Sequence, residues 1–175
     1  MSDEALRYPV GKFSPKDSYS KAELTECIDT IASLPSKIEA LTSTLSAKQY
    51  ATRYREGGWT ALQVIHHLAD SHMNAYIRFK WTLTEDTPTI KAYNEKLWAE
   101  TAETKLDAKL SIALLHALHS KWSALIRLLT DEDFKKQFLH PETKKYMPLD
   151  RLTAMYAWHC EHHLGHLKII AGKSN

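Results

Sequence analysis

The stretch LDRLTAMYAWHCEHHLGHLKIIA, residues 149–171, decides the fold. When successive residues are placed about 100° apart, its apolar side chains gather on one stripe of a helix. That stripe contains Leu149, Leu152, Met155, Tyr156, Leu167 and Ile170. His159, His163 and His166 fall inside the same stripe. His162 lies at its edge. The pattern predicts a helix that carries several imidazoles towards the core.

The rest of the chain also reads as helical, because long runs contain neither glycine nor proline. The predicted segments are, in order, an extended leader over 1–19, helices over about 20–46 and 60–83, a short helix near 93–101, a third long helix over about 107–129, a loop or short helical stretch over 131–148, and the last helix. Thr60 is a candidate N-cap, and Gly172 ends the last helix. Pro35 predicts a kink or a fresh start in the first helix. We therefore expect an all-α four-helix bundle over 20–172, in a single domain spanning 1–175.

Composition narrows the possible functions. The chain has 23 basic and 21 acidic residues and a formal charge of +2, a balance too even to indicate a nucleic-acid or membrane partner. Its start lacks the pattern of a signal peptide, and no apolar stretch is long enough to span a membrane. The two cysteines, Cys27 and Cys160, lie far apart and form no CxxC pair. These features favour a cytoplasmic protein in a reducing compartment.

Histidine is the unusual residue, because the chain has ten and four of them fall within one short segment. A single histidine on a core face is more often a hydrogen-bonded core residue than a ligand. Several on one stripe repel one another when charged, and a divalent metal removes that cost by binding neutral rings. His159 and His163, spaced i and i+4, are near enough to share one ion. His162 and His166 have the same spacing but lie less centrally. Glu161 points away from the stripe, which excludes the HExxH arrangement of a zincin.

A polar stripe on the second helix supplies the third predicted ligand. The stripe contains Gln63, His67, Asp70, Ser71, Asn74 and Arg78. Such a stripe either faces water or lines a pocket, and the sequence leaves both open. His67 borders the main apolar stripe and is the better ligand, whereas His66 and His72 fit packing or interface positions. Asp70, one turn on, is placed to orient a histidine or a water. Three histidines leave one coordination position open, which is typical of catalytic zinc sites.

Nearly the whole chain resembles the DinB superfamily of metal-binding four-helix bundles and, within it, the YfiT-type metal-dependent hydrolases. The matching segments are YREGGWTALQVIHHLADSHMNAYIRFKWTLTED, TIKAYNEKLW, LLHALHSKW, FLHPETKK and YAWHCEHHLGH. The resemblance implies that His67, which precedes Leu-x-Asp, joins His159 and His163 in holding one divalent metal per chain, first Zn²⁺ and then Ni²⁺. It also implies a homodimer. Many members carry Arg-Gly-Gln after the second histidine of the last helix, where this chain has Leu-Gly-His, ending in His166.

Three functions are compatible with such a site. The first is hydrolysis of a small molecule by a water that the metal acidifies in its open position. Asp70 or His166 would then move protons, and Trp59, Gln63 and Arg78 would hold the substrate. The second is transfer of a low-molecular-weight thiol, as in the related bacillithiol S-transferases, with the thiol bound to the metal as thiolate. The third is a non-enzymatic module that uses its metal only for structure.

Overall fold

The computed structural model describes residues 2–173 and consists mainly of helices. Numbered in chain order, these are α1 Asp3–Arg7, α2 Lys21–Thr42, α3 Ala47–Tyr50, α4 Ala61–Thr84, α5 Glu95–Trp98, α6 Lys109–Arg127, α7 Asp131–Lys135 and α8 Leu149–Ala171. A 3₁₀ turn, Ala102–Lys105, precedes α6. Strands β1, Gln137–His140, and β2, Lys145–Pro148, pair antiparallel before α8. None of the helices described has the length and apolar character needed to cross a membrane.

Four long helices pack around one core, which confirms the predicted four-helix bundle. Helix α2 contacts α6 and α8, and α4 contacts the same two helices, so the four form a closed ring. Aliphatic side chains fill the core together with Phe79 and Trp122, both fully buried. Burial of large apolar side chains is the main favourable contribution to the stability of such a domain. Helices α4 and α8, which carry the predicted ligands, face each other across one side of the ring.

The start of α4 at Thr60 and the end of α8 at Gly172 are both present as predicted. At the start of α4, the Thr60 hydroxyl accepts from the Gln63 N–H at 3.2 Å, and the Gln63 amide oxygen accepts from the Thr60 N–H at 3.1 Å. This reciprocal capping box satisfies two main-chain donors that the helix itself cannot pair. Helix α8 ends at Gly172, whose φ of 68° costs glycine little.

Helix α2 runs through Pro35 without interruption, so a fresh start at that residue is wrong. Because proline has no N–H, the carbonyl of Ile31, four residues earlier, lacks its normal helical donor. His119 of α6 donates to that carbonyl instead, with its Nδ1 2.6 Å from the oxygen. The proline is therefore matched by a hydrogen bond between two helices.

The segment before α8 contains a hairpin that the sequence did not predict. Residues 131–148 hold α7 and then the strands β1 and β2, in which Phe138 pairs with Met147. Each strand has four residues, which is too short for an alternating pattern to stand out from the surrounding polar sequence. The loop or short helical stretch predicted over 131–148 therefore matches only α7, in the first part of this segment.

The leader was predicted to be extended, but part of it is helical, because α1 forms a helical turn that Ser2 caps. It is fixed to the last helix by side chains of α8. Trp158 Nε1 donates to the carbonyl of Gly11 at 3.0 Å, and the Arg151 guanidinium donates to the carbonyl of Lys16 at 3.2 Å. The leader therefore covers the outer side of α8 near its histidines.

Candidate metal centre

Three histidine rings converge between α4 and α8. His67 comes from α4, His159 and His163 come from α8, and one nitrogen of each lies within 4.8 Å of the others. His67 Nε2 lies 3.4 Å from His159 Nε2. Two nitrogens bound at about 2.0–2.1 Å to a tetrahedral zinc ion are roughly 3.3–3.4 Å apart. The donor atoms of this pair are therefore spaced as two corners of a zinc site.

The surroundings keep these rings neutral, which is the state that binds a metal. Burial, with a smaller effect from His162, lowers the pKa of His67 to about 4. Burial and neighbouring histidines, His67 first among them for His159, lower the pKa values of His159 and His163 well below the usual range. His159 retains some exposure to solvent, unlike the other two. The cluster therefore offers an ion three neutral donors.

A second group, His162, His163 and His166, also has nitrogens within 4.8 Å of one another. It fits an ion less well, because one nitrogen of His166 is engaged outside the group and the ring of His162 is held by stacking. His166 Nε2 donates to the carbonyl of Arg7 at 3.2 Å, and its Nδ1 lies 3.3 Å from His163 Nδ1. The ring of His162 stacks on Trp158 with centroids 4.5 Å apart. The group that spans two helices is therefore the better candidate.

Aromatic rings cover the converging histidines. The indole of Trp59 packs on His67, with ring centroids 4.6 Å apart, and faces His163 at 6.3 Å. Tyr156 lies 5.5 Å from His159 on the other side. Rings packed in this way exclude water and hold the imidazoles in place. Trp59, predicted as a substrate contact, therefore also supports two candidate ligands.

The two side chains predicted as catalytic, Asp70 and His166, differ in their contacts with the converging rings. Asp70 is half-buried one turn from His67, and the structure records no hydrogen bond between its carboxylate and a histidine among residues 2–173. Burial, and then the nearby Glu103, raise the pKa of Asp70 to about 6. His166 has both nitrogens engaged, which leaves its predicted role in proton transfer without support from the geometry.

The two remaining predicted substrate contacts differ in their surroundings. The Gln63 amide is occupied at both ends, because its oxygen caps α4 and its nitrogen donates to the Ala99 carbonyl at 2.9 Å. Its geometry therefore fits a structural role better than substrate binding. Arg78 is buried and lines a cavity at the far end of α4.

Sequence reasoning missed His72, which contacts the candidate site, and His119, which contacts His72. His72 Nε2 lies 3.0 Å from His159 Nδ1, and His72 Nδ1 lies 2.8 Å from His119 Nε2. His72 was predicted as a packing or interface residue, and His119 lies on a different helix, α6. The available signal was the number of histidines, since three long helices each carry more than one.

Known proteins resemble this chain over nearly its full length. A family model described as the DinB superfamily matches residues 31–167. YfiT of Bacillus subtilis (strain 168), named a candidate metal-dependent hydrolase, is 45% identical over 95% of this chain and 94% of that protein. A Bacillus cereus (strain 03BB102) protein of the same description is 43% identical over 97% of this chain and 98% of its own. The solved structure of B. subtilis YfiT, described as a probable metal-dependent hydrolase with an unusual four-helix bundle topology, has a TM-score of 0.94 and 44% identity, and covers 96% of this chain and 97% of that one.

Replacement of any converging ring is expected to remove the candidate metal site. His67→Ala, His159→Ala and His163→Ala should each weaken zinc binding by more than about 100-fold, because each removes a ligand rather than a residue behind one. A chelator-competition titration of metal-free protein measures this. His116→Ala is the control, since His116 pairs with Glu39 at 3.0 Å on the surface. Wild-type affinity in all three variants would place the ion elsewhere.

The metal-free protein is expected to lose stability between pH 7 and pH 5. Burial lowers the pKa of His67 to about 4 and that of His166 to about 3, whereas an unfolded histidine titrates near 6.5. Between these values the unfolded chain binds more protons, so the free energy of unfolding falls as the pH falls. Asp70 opposes this, because its folded pKa of about 6 exceeds its ordinary value, but it is one group against several histidines. Urea unfolding at both pH values measures the change in the free energy of unfolding. Equal or greater stability at pH 5 would contradict the lowered pKa values of the buried histidines.

Proposed function

Because the chain belongs to the DinB superfamily, we propose that it is a metal-dependent hydrolase that acts on a small molecule. The observation that carries the proposal is the meeting of His67 with His159 and His163 from the facing helix. Three neutral rings leave one position of a tetrahedral ion free, the arrangement of catalytic rather than structural zinc sites. His159 is the member of the group that retains partial exposure to solvent. The names of the relatives support the same assignment.

The side chains around the rings suit this chemistry. An ion held there, Zn²⁺ first and Ni²⁺ as the alternative, would supply a Lewis acid and lower the pKa of a water. His67 and His159 direct Nε2 atoms towards one point, and Trp59 shields that point from bulk water. Asp70 is the proposed proton acceptor, because it lies one turn from His67 on α4 and burial raises its pKa to about 6.

A buried arginine supports an anionic group on the proposed substrate. Arg78 is 8% exposed, and its guanidinium makes no ion pair in the part of the chain that the structure describes. Its Nε is buried without a hydrogen-bond partner. It lines a cavity of about 450 Å³ with Tyr93 and His140. Glu95 and Glu142 line the same cavity, and the pKa of Glu95 is raised by burial against a smaller opposing effect of the Arg78 charge. An unpaired buried cation is costly, and carboxylates and phosphates are the groups that arginine binds best.

Hydrolysis is expected to depend on the metal and on the rings that hold it. Protein stripped of metal should lose at least about 99% of its turnover of an ester, amide and phosphoester panel, and added Zn²⁺ or Ni²⁺ should restore it. His159→Ala should stay inactive with metal present while its helical circular dichroism is kept, and His116→Ala should match the wild type. The panel is run with and without a low-molecular-weight thiol. Turnover that requires the thiol would replace hydrolysis by thiol transfer, and no turnover by loaded protein would contradict both.

Removal of the Arg78 charge is expected to weaken the binding of anionic substrates only. Arg78 lies eleven residues after His67, about 16 Å along the helix, so it would hold the far end of an extended substrate. Arg78→Gln should raise the KM for anionic members of the panel about tenfold to 100-fold, as expected for a lost charged hydrogen bond, and should leave neutral members unchanged. Lys96→Gln, an exposed cation at the same cavity, is the control. An equal effect on neutral substrates would rule out an anion site.

A further inference from the structure

A chain of hydrogen bonds runs from His159 on α8, through α4 and α6, to a main-chain carbonyl on α2. His159 Nδ1 lies 3.0 Å from His72 Nε2 on α4. His72 Nδ1 lies 2.8 Å from His119 Nε2 on α6. His119 Nδ1 lies 2.6 Å from the carbonyl oxygen of Ile31 on α2. The chain therefore includes a residue from each of the four long helices, and it ends on an oxygen that can only accept.

The carbonyl fixes the direction of every bond in this chain, because a neutral imidazole has one donor nitrogen and one acceptor nitrogen. His119 must donate from Nδ1 to Ile31, so its Nε2 accepts and His72 donates from Nδ1. The Nε2 of His72 then accepts, so His159 donates from Nδ1. His159 is left with an unprotonated Nε2, the atom that lies 3.4 Å from Nε2 of His67.

The rings are neutral for a reason independent of these bonds. His72 and His119 are fully buried, and burial lowers the pKa of His119 to about 4 and the pKa of His72 well below its usual range. A protonated His119 would donate from both nitrogens, and the bonds from His72 onwards would then run in the opposite direction. Complete burial of His72 and His119 therefore supports the direction derived for neutral rings.

Pro35 makes the carbonyl at the end of the chain available. In an uninterrupted helix, the N–H of residue 35 would donate to the carbonyl of Ile31. Proline has no N–H, so that oxygen is free for the His119 ring, which enters from α6. Proline inside a helix normally destabilises it. Its presence at this buried position has a physical explanation in the hydrogen bond that it makes possible.

A shorter chain of the same kind reaches the second ligand of α8. His166 Nε2 donates to the carbonyl of Arg7, in the last turn of α1, where helical carbonyls lack a donor of their own. His166 Nδ1 therefore accepts, and His163, 3.3 Å away, donates from Nδ1. His163 is left with an unprotonated Nε2.

We propose that His72 and His119 are positioning residues, which set His159 in the Nδ1–H tautomer before a metal binds. Pro35 contributes by leaving the Ile31 carbonyl free for His119. His166 sets the same tautomer in His163. In metal sites, ligating histidines donate their second N–H to a carboxylate, carbonyl or water, which fixes the ring. Here a histidine takes that place. The purpose of the arrangement rests on the proposed metal function, but its first test needs no metal and no turnover.

The tautomers of the metal-free, full-length protein provide that test. Long-range ¹H–¹⁵N correlation spectra of the histidine rings report which nitrogen carries the hydrogen. We expect Nδ1–H at His72, His119, His159 and His163, and Nε2–H at His166. An Nε2–H tautomer at His72 or His159 would overturn the proposal, whatever the outcome of the hydrolase assays.

Zinc affinity tests the positioning role. His119→Phe should weaken zinc binding by roughly tenfold, within the 10–100-fold range for loss of a partner behind a metal ligand. Pro35→Ala keeps every histidine but supplies a competing N–H to Ile31, so it should shift the His119 Nδ1 resonance and weaken binding roughly threefold to tenfold. His116→Phe and the exposed Ser36→Ala are the matched controls. Wild-type affinity in both test variants would overturn the positioning role, and the tautomers of the wild type decide the case if His119→Phe does not fold.

Discussion

A neutral imidazole buried in a protein has one hydrogen to donate and one lone pair to satisfy, and the helical bundle is arranged around that requirement. Seven of its histidines are buried. Hydrogen bonds to carbonyls and to other rings account for most of their nitrogens. The lone pair left over at His159 lies beside Nε2 of His67, and one nitrogen of His163 lies within 4.8 Å of a nitrogen of each. A divalent ion is the group whose binding completes such a set.

The helices contribute main-chain carbonyls that lack a helical N–H donor, and these accept hydrogen bonds from histidines. One carbonyl is freed by Pro35 inside α2, and another lies at the end of α1 in the leader. The Arg7 carbonyl accepts from His166, which contacts His163, and the Ile31 carbonyl accepts from His119, which reaches His159 through His72. Within residues 2–173, His67 has no recorded hydrogen bond to a carbonyl; its Nε2 faces His159 and its ring packs on Trp59. Two ligands are therefore preset, while the third is held by packing and is free to change its tautomer when an ion binds.

Much of the fold and part of the site follow from local patterns. The apolar stripe of α8 placed His159 and His163 inwards, and single capping residues located the ends of α4 and α8. The hairpin and α1 escaped because they are too short to show a period. The contacts of His72 and His119 escaped for a different reason: they join residues 40 or more positions apart, and only the packing of α4, α6 and α8 brings those residues together.

The central claim is that three imidazoles, and no sulfur, hold one ion and leave a position open. Zinc K-edge X-ray absorption of the loaded protein tests it most directly. The account predicts three nitrogen ligands at about 2.0–2.1 Å with imidazole scattering, and one further light atom. Zinc–sulfur scattering near 2.3 Å, or a shell with fewer than three imidazoles, would contradict it.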